Sequence, residues 1–519
     1  MIPMSLARIA EIVGGSLHDV PDPDAMVTGT VEFDSRKVTV GGLFLALPGA
    51  RVDGHDHAAA AVAAGAVAVL AARPVGVPAI VVAPLPPAQT NAMALEHDTD
   101  GSGAAVLKAL AALARASTDD LAARGLTVVG VTGSSGKTST KDLLAAVLTP
   151  LGSVVAPPGS FNNELGHPWT ALRADADTDF LVLELSARGT GHIAALAETV
   201  PPRIGVILNV GTAHLGEFGS RDAIAQTKGE LAEALPAADE GGVAVLNADD
   251  PLVAAMAERT RARVVLVGQS ERADVRAVDV HLDAEARPAF TLECRYPAGS
   301  AHEGDIATVP IQLGVHGEHQ IGNALAAAAV ALECGATVAQ IATALGAATA
   351  ASVRRMDVRH RADGVTVIND SYNANPDSMR AALKALVSMG RSGEGAPRRT
   401  WAVLGEMAEL GPESVIEHDA IGRLAVRLDV SRLIVVGTGR PSRAMHQGAV
   451  MEGSWGEESI LVPDQAAAIA VLEAELAGDD IVLVKASQSV GLWAVADTLL
   501  EGPRADQQGE QRTNTEEDQ

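Results

Sequence analysis

The chain has 519 residues, a formal net charge of −26 and 47 % hydrophobic residues, with aromatics only 2 % of the whole. That length implies two to four domains, whose cores must be built from Ala, Val, Leu and Ile. The acidity argues against nucleic acid or an anionic membrane as a partner and leaves small anionic ligands open. Cys294 and Cys334 stand in ordinary apolar or strand-like surroundings, so two free thiols in a cytoplasmic protein are expected. No apolar run has the length and freedom from charge of a membrane span. The start, MIPMSLARIAEIVGG, reads as an amphipathic helix ending in glycines and lacks the layout of a signal peptide.

Residues 1–88 read as a small α/β unit with short apolar strands at Val31–Phe33, Leu43–Leu47, Ala66–Leu70 and Ala79–Val82. Asp34-Ser35-Arg36 follows the first of these; loops after strands often bind ligands, although such a triplet alone is a solvated turn. Residues 84–104 are rich in Pro, Ala and small polar residues, which marks a junction. A helix at Ala105–Ala116 leads onward to the strand Leu126–Val131. From 126 to about 350, strands alternate with helices, so a mostly parallel sheet covered on both faces is expected. Its further strands are Phe180–Leu185, Ile204–Asn209, Val243–Leu246 and Val264–Val267, and alternation over 270–315 suggests an antiparallel insert. Four more strands, Val365–Asn369, Trp401–Leu404, Leu433–Val436 and Ile481–Val484, make a last α/β domain at 352–500. The charged tail 501–519 has no apolar period and should be disordered.

The stretch LTVVGVTGSSGKTSTKDLLAAVL (Leu126–Leu148) carries the clearest chemistry. It runs strand, glycine-rich turn, helix, with Leu143, Leu144, Val147 and Leu148 at helical spacing. Glycines let backbone N–H groups reach phosphate oxygens, and the helix N-terminus adds a favourable dipole. Thr132, Gly133, Ser134, Ser135, Gly136, Lys137, Thr138 and Ser139 are therefore candidates to hold ATP. Lys137 would reach the β/γ-phosphates, and the Thr138 hydroxyl would ligate Mg²⁺. The wider pattern G-x-x-x-x-G-K-[ST] fails, because Val131 stands where it needs Gly. Glu184 closes an apolar strand just beyond, where a carboxylate can share the metal. His214 follows a strand in a glycine-rich loop, and Lys228 lies on the next helix, where periodicity alone makes it a solvated charge.

Several segments resemble the Mur ligase superfamily of ATP-dependent amide-forming enzymes. T-G-S-S-G-K-T-S, E-L-S-A-R, N-V-G-T-A-H-L-G-E-F-G-S and Q-T-K-G-E-L look like its central domain, and H-Q-I-G-N-A-L-A-A-A (His319–Ala328) is similar to its H-N-x-x-N-x-x-A-A motif. N-D-S-Y-N-A-N-P-D-S-M (Asn369–Met379) and the DSR…GGLFLAL region resemble the member that adds D-alanyl-D-alanine to a UDP-N-acetylmuramoyl-tripeptide. The resemblance spans roughly residues 25–500. It implies three α/β domains: a small N-terminal UDP-binding domain (1–88), a central phosphate-loop NTPase-like domain (89–351) and a C-terminal Rossmann-like ligase domain (352–500).

By motif position, the resemblance implies Lys137, His214, Lys228 and Arg355 as the catalytic set. Thr138, Glu184 and His214 would hold Mg²⁺, and Lys228 would be carbamylated (N6-carboxylysine). Arg355, or the adjacent Arg354, would meet the γ-phosphate, with Asn323 near the adenine and Asp370 near the ribose. Ser35, Arg36, Asn162, Asn163, Tyr372, Asn375 and Lys485 would contact the two substrates. Two departures stand out: Ser186 replaces the usual Gly after E-L, and K-A-S-Q (Lys485–Gln488) replaces K-G-S-R. The cofactors implied are ATP and Mg²⁺, the partners small molecules, and the state a monomer. Rival readings are a third-residue ligase or folylpolyglutamate synthetase, and a phosphate-loop kinase. The first rival's D-N-P-R motif is absent, and a kinase has no need of His214 and Lys228.

Overall fold

The structure, a computed structural model, describes residues 1–49, 52–86, 95, 97–211, 215–295, 305–391, 397–453 and 458–501. Three larger sheets organise it. The first has five strands in the order Ser16–His18, Ala79–Val81, Ala66–Ala71, Gly42–Leu45 and Val31–Glu32. The N-terminal helix Leu6–Val13 is capped by Ser5 and closed by Gly14 in the left-handed conformation. The long helix Ser102–Ala122 buries Val106, Leu110 and Leu113 in one core with Leu6, Leu43 and Leu70 on one side and Leu181 and Leu183 on the other. It thus joins the first sheet to the back of the second.

The second sheet has nine strands. At its centre Thr127–Thr132 lies between Phe180–Glu184 and Ile204–Ile207, all parallel. Val243–Asn247 and Arg263–Gly268 continue beyond Ile204–Ile207. The antiparallel stretch is no detached insert. Val275–Leu282 pairs in parallel with Arg263–Gly268 through Val267 and Gly268, and then turns into Pro288–Arg295 and Ile306–Gln312. Side chains alternate between faces. Val129, Val131, Val182 and Val206 enter one core with the helices Lys137–Leu148 and Gln320–Glu333, while Ile207 and Leu246 enter another. An interior strand must be apolar on both faces, which is why these segments read as unbroken apolar runs. The earliest strand of this sheet is flanked on both sides by later ones, so strand order reverses at its carboxyl end, where ligands bind in such sheets.

The third sheet orders Asp357–His360, Thr366–Asn369, Ile481–Lys485, Thr400–Leu404, Arg432–Val436 and Ser459–Val462. Only the first pair is antiparallel. Ile368, Leu404 and Leu483 pack to one face, and Val367, Val403 and Val484 to the other. The fold is therefore α/β throughout, with strand edges within a few residues of those expected. Among the described residues no helix is long and apolar enough to cross a membrane. The charged tail, apart from Glu501, lies outside the described residues.

Candidate active site

A cleft of about 790 Å³ opens at the carboxyl end of Thr127–Thr132 and is walled by the second and third sheets. Gly136 stands at the head of the helix Lys137–Leu148 with φ +84°, and a Cβ there would lie 2.6 Å from Asn323 Oδ1. Only glycine suits that left-handed, crowded position. No side chain caps this helix, so its first N–H groups are available to an anion. Asn209 braces the loop from the neighbouring strand: its Oδ1 accepts from Ser135 N–H at 3.0 Å, and its Nδ2 donates to Ser135 O at 3.1 Å. Ser134, Ser135, Gly136, Lys137, Thr138 and Ser139 all line the cleft. Thr132 does not; it is fully buried, and its hydroxyl donates to Leu185 O at 2.9 Å, tying adjacent strands.

Lys137 Nζ donates to Gly133 O at 2.6 Å. Burial lowers its pKa, the Glu184 carboxylate pulls it back up and Arg355 lowers it again. Thr138 donates its hydroxyl to Glu184 Oε2 at 3.2 Å, and Ser160 Oγ and Asn162 Nδ2 approach the same oxygen at 3.3 and 3.5 Å. Glu184 is fully buried, and its Oε1 has no hydrogen-bond partner among the described residues. A buried carboxylate oxygen left unpaired beside a threonine hydroxyl suits a hard cation with oxygen ligands. His214, the other expected metal ligand, lies outside the described residues. His167 Nδ1–H donates to Glu184 O at 3.2 Å, and burial holds its pKa down at about 4.

Lys228 is buried behind the loop on the helix Arg221–Ala234. Its pKa is lowered well below the ordinary lysine value, first by burial and then by the like charge of Lys137. Periodicity alone makes Lys228 a solvated charge; the fold instead buries it, and burial disfavours its charged form.

From the third sheet, Arg355 lines the cleft with its guanidinium 4.4 Å from the Tyr372 ring centre. Arg354 turns away, stacked on Trp493 and 3.6 Å from Asp497. The backbone separates the two, since Arg354 has φ +60°. Asp370 follows one strand and Lys485 ends its parallel neighbour, the two in register through Asn369 and Val484. Their side chains form an ion pair of 2.6 Å, and Lys485 also donates to Asn373 O at 2.9 Å. Lys485 lines the cleft, with its ammonium engaged by Asp370 and Asn373. Asn375 lines the cleft but caps the helix Pro376–Arg391, accepting from Ser378 N–H at 2.8 Å. Asn323 also faces the cleft, held by a bond from its Nδ2 to Gln320 Oε1 of 2.8 Å.

Asn162 and Asn163 line the cleft too. Asn163 Oδ1 accepts from Gly166 N–H at 2.9 Å and so starts the helix Gly166–Ala171. That helix carries Trp169, whose Nε1–H donates to Val31 O at 2.8 Å and whose ring lies 5.7 Å from Phe33. The Ser35–Arg36 turn sits just beyond, outside the cleft, with Arg36 folded onto Asp34 at 2.9 Å. Ser186 needs no glycine's freedom: its φ is not positive, and its N–H donates to Asn162 O at 3.0 Å. Gln488, in place of an arginine, is exposed and outside the cleft. Sequence reasoning missed Ser160 and the rim pair Arg188–Glu409, which spans the two sheets at 2.7 Å. A serine two residues before an asparagine pair carries no signal by itself.

Three family models cover most of the chain: the Mur ligase family catalytic domain at residues 29–118, the Mur ligase middle domain at 131–331, and the Mur ligase glutamate ligase domain at 354–488. A UDP-N-acetylmuramoyl-tripeptide–D-alanyl-D-alanine ligase of Mycobacterium tuberculosis is 63 % identical over 96 % of this chain and 98 % of its own length. An Escherichia coli ligase of the same name is 33 % identical over 96 % and 99 %. Among solved structures, MurF from Acinetobacter baumannii aligns with a TM-score of 0.79 at 28 % identity, over 96 % of this chain and 99 % of that one. MurF ligase from Thermotoga maritima in complex with ADP aligns with a TM-score of 0.71 at 28 % identity, over 92 % and 98 %.

Proposed function

The chain belongs to the Mur ligase family, and from that premise we propose that it joins D-alanyl-D-alanine to UDP-N-acetylmuramoyl-tripeptide with cleavage of ATP to ADP and inorganic phosphate, the last step in building the peptidoglycan pentapeptide precursor. The observation that carries the substrate assignment is the 63 % identity to a ligase of that name along 98 % of its length. The chemistry follows from what the cleft can do. Carboxylate and ammonium do not condense in neutral water, because one is unactivated and the other has no lone pair. A carboxylate oxygen of the tripeptide therefore attacks the γ-phosphorus and ADP leaves. The free amine of the dipeptide then attacks the acyl carbon, the nitrogen loses a proton, and phosphate departs with one of the original carboxylate oxygens. Such transfers need charge neutralisation and alignment more than covalent help.

The residues supply both. The uncapped helix start, Lys137 and Arg355 face the phosphates from opposite walls. Thr138 and Glu184 would hold a magnesium ion, with His214 serving a second, and magnesium would neutralise the phosphate charge as the γ-phosphoryl moves. Asn323 holds the adenine and Asp370 the ribose, with Lys485 fixing the Asp370 carboxylate. Asn162, Asn163, Tyr372 and Asn375 contact substrate, and Ser35 and Arg36 the uridine diphosphate. Lys228, as a neutral amine, attacks carbon dioxide and releases a proton, giving a carbamate whose negative charge suits a metal-bearing site. The domains divide at about residues 88 and 351, the enzyme works as a cytoplasmic monomer, and Arg355 reaches the nucleotide when the last two domains close.

The test is ADP release by the purified chain with ATP and magnesium. It should require both the UDP-muramoyl-tripeptide and the dipeptide. Release with a single phosphoryl acceptor and no dipeptide would instead favour a kinase.

A further inference from the structure

Lys141 lies one turn beyond Lys137 on the same helix face, yet it is only 3 % exposed. A lysine is rarely buried to this degree unless its charge is fully used. Its ammonium is 2.5 Å from Asp142 Oδ1 and donates to Pro157 O at 3.0 Å and to Ser352 Oγ at 3.2 Å. Asp142 Oδ2 in turn accepts from Ser352 N–H at 3.1 Å. The two side chains therefore grip two distant segments at once.

Both segments lead into the cleft. From Pro157 the chain runs to Ser160 and Asn162, which reach Glu184 Oε2. From Ser352 it runs to Arg355. Four residues after Ser352 a second pin appears, Met356 N–H donating to Asp370 Oδ1 at 3.1 Å. Within this segment the backbone is left-handed at Arg354 (φ +60°) and at the second pin, Met356 (φ +48°), conformations non-glycine residues hold only when their surroundings enforce them. Arg355 is thus aimed by anchors at both ends of a five-residue segment, one on the phosphate-loop helix and one on the last sheet.

We propose that Lys141 is a positioning residue that couples the phosphate-loop helix to Arg355 and to the loop bearing Ser160 and Asn162, so that the γ-phosphate contacts on the two walls of the cleft are set together. The inference rests on the proposed nucleotide role of Arg355. A purely structural lysine would lower stability without interacting with Arg355 in function.

A double-mutant cycle on the full-length chain separates these. Lys141→Met, Arg355→Ala and the pair are compared for binding of Mg²⁺ with AMP-PNP, and for kcat with ATP, tripeptide and dipeptide. Lys141→Met should weaken AMP-PNP about tenfold and lower kcat at least as much, with the dipeptide KM unchanged. In the Arg355→Ala background the same substitution should cost clearly less than tenfold, because one of the two groups it positions is gone and only the loop bearing Ser160 and Asn162 remains. Independent, multiplying losses overturn the proposal. Should Lys141→Met fail to fold, Ser352→Ala, which removes one anchor, is run through the same cycle with the same criterion. Absence of dipeptide-dependent ADP release from the wild type would refute the ligase assignment while the AMP-PNP cycle still judged Lys141. Failure of the wild type to bind AMP-PNP overturns both.

Discussion

Replacing Lys485 by methionine tests how the last sheet serves the site. Lys485 is 2 % exposed, and its ion pair with Asp370 is 2.6 Å long. Methionine fills a similar volume and leaves the Asp370 carboxylate and Asn373 O without their cation. Breaking a buried pair from one side typically costs about 3–5 kcal/mol. Asp370 keeps some access to the cleft, which favours the lower end. For a domain of this size the loss corresponds to a fall in Tm of roughly 6–20 °C. Asp370→Asn in the Lys485→Met background removes the stranded charge and should recover most of that stability. Thermal unfolding followed by near-ultraviolet circular dichroism, with nucleotide absent, reads both. If Lys485→Met unfolds like the wild type and only the dipeptide KM rises, Lys485 is a substrate ligand and the strut reading is wrong.

Three further outcomes follow from the geometry. Lys137→Ala and Glu184→Ala should each abolish turnover while circular dichroism shows the fold intact; near-normal rates for Glu184→Ala would remove it from the metal site. Arg355→Ala should lower kcat by about 10²-fold or more, whereas Arg354→Ala, whose guanidinium lies on Trp493, should mainly lower stability; the reverse pattern would mean that the arginines are wrongly assigned. His167, held at about 4 against an ordinary 6.5, stays neutral in the folded chain while the unfolded chain takes up a proton below pH 6.5. Stability is therefore fully present above pH 6.5 and declines by about 3 kcal/mol as pH falls to 4. Denaturant titrations across that window should show a shallower decline in His167→Gln, and an unchanged slope would contradict the buried neutral imidazole.

The parts legible in the sequence are those set by local pattern. The apolar runs ending at Thr132, Glu184 and Asn209 mark parallel strands because both faces must be covered. The loop from Gly133 to Lys137 is visible because its glycines and lysine sit together in the chain. What was hidden depends on partners far away in sequence. Lys485 looks free until the sheet register sets it beside Asp370, 115 residues earlier. Lys228 looks solvated until the helix Arg221–Ala234 packs behind the phosphate loop. Arg354 and Arg355 are equivalent as letters; a left-handed backbone at the first sends one to Trp493 and the other to the cleft. Ser186 departs from the family's usual Gly after E-L, and its backbone is ordinary, with no positive φ.

The account stands most directly on the fate of one oxygen. With the tripeptide's acceptor carboxylate labelled with ¹⁸O, complete turnover with ATP and dipeptide should place one labelled oxygen in the released inorganic phosphate for each amide formed. Amide formation that leaves the phosphate unlabelled would mean the acid is never phosphorylated, and the chemistry assigned to the cleft around Lys137 and Arg355 would be wrong.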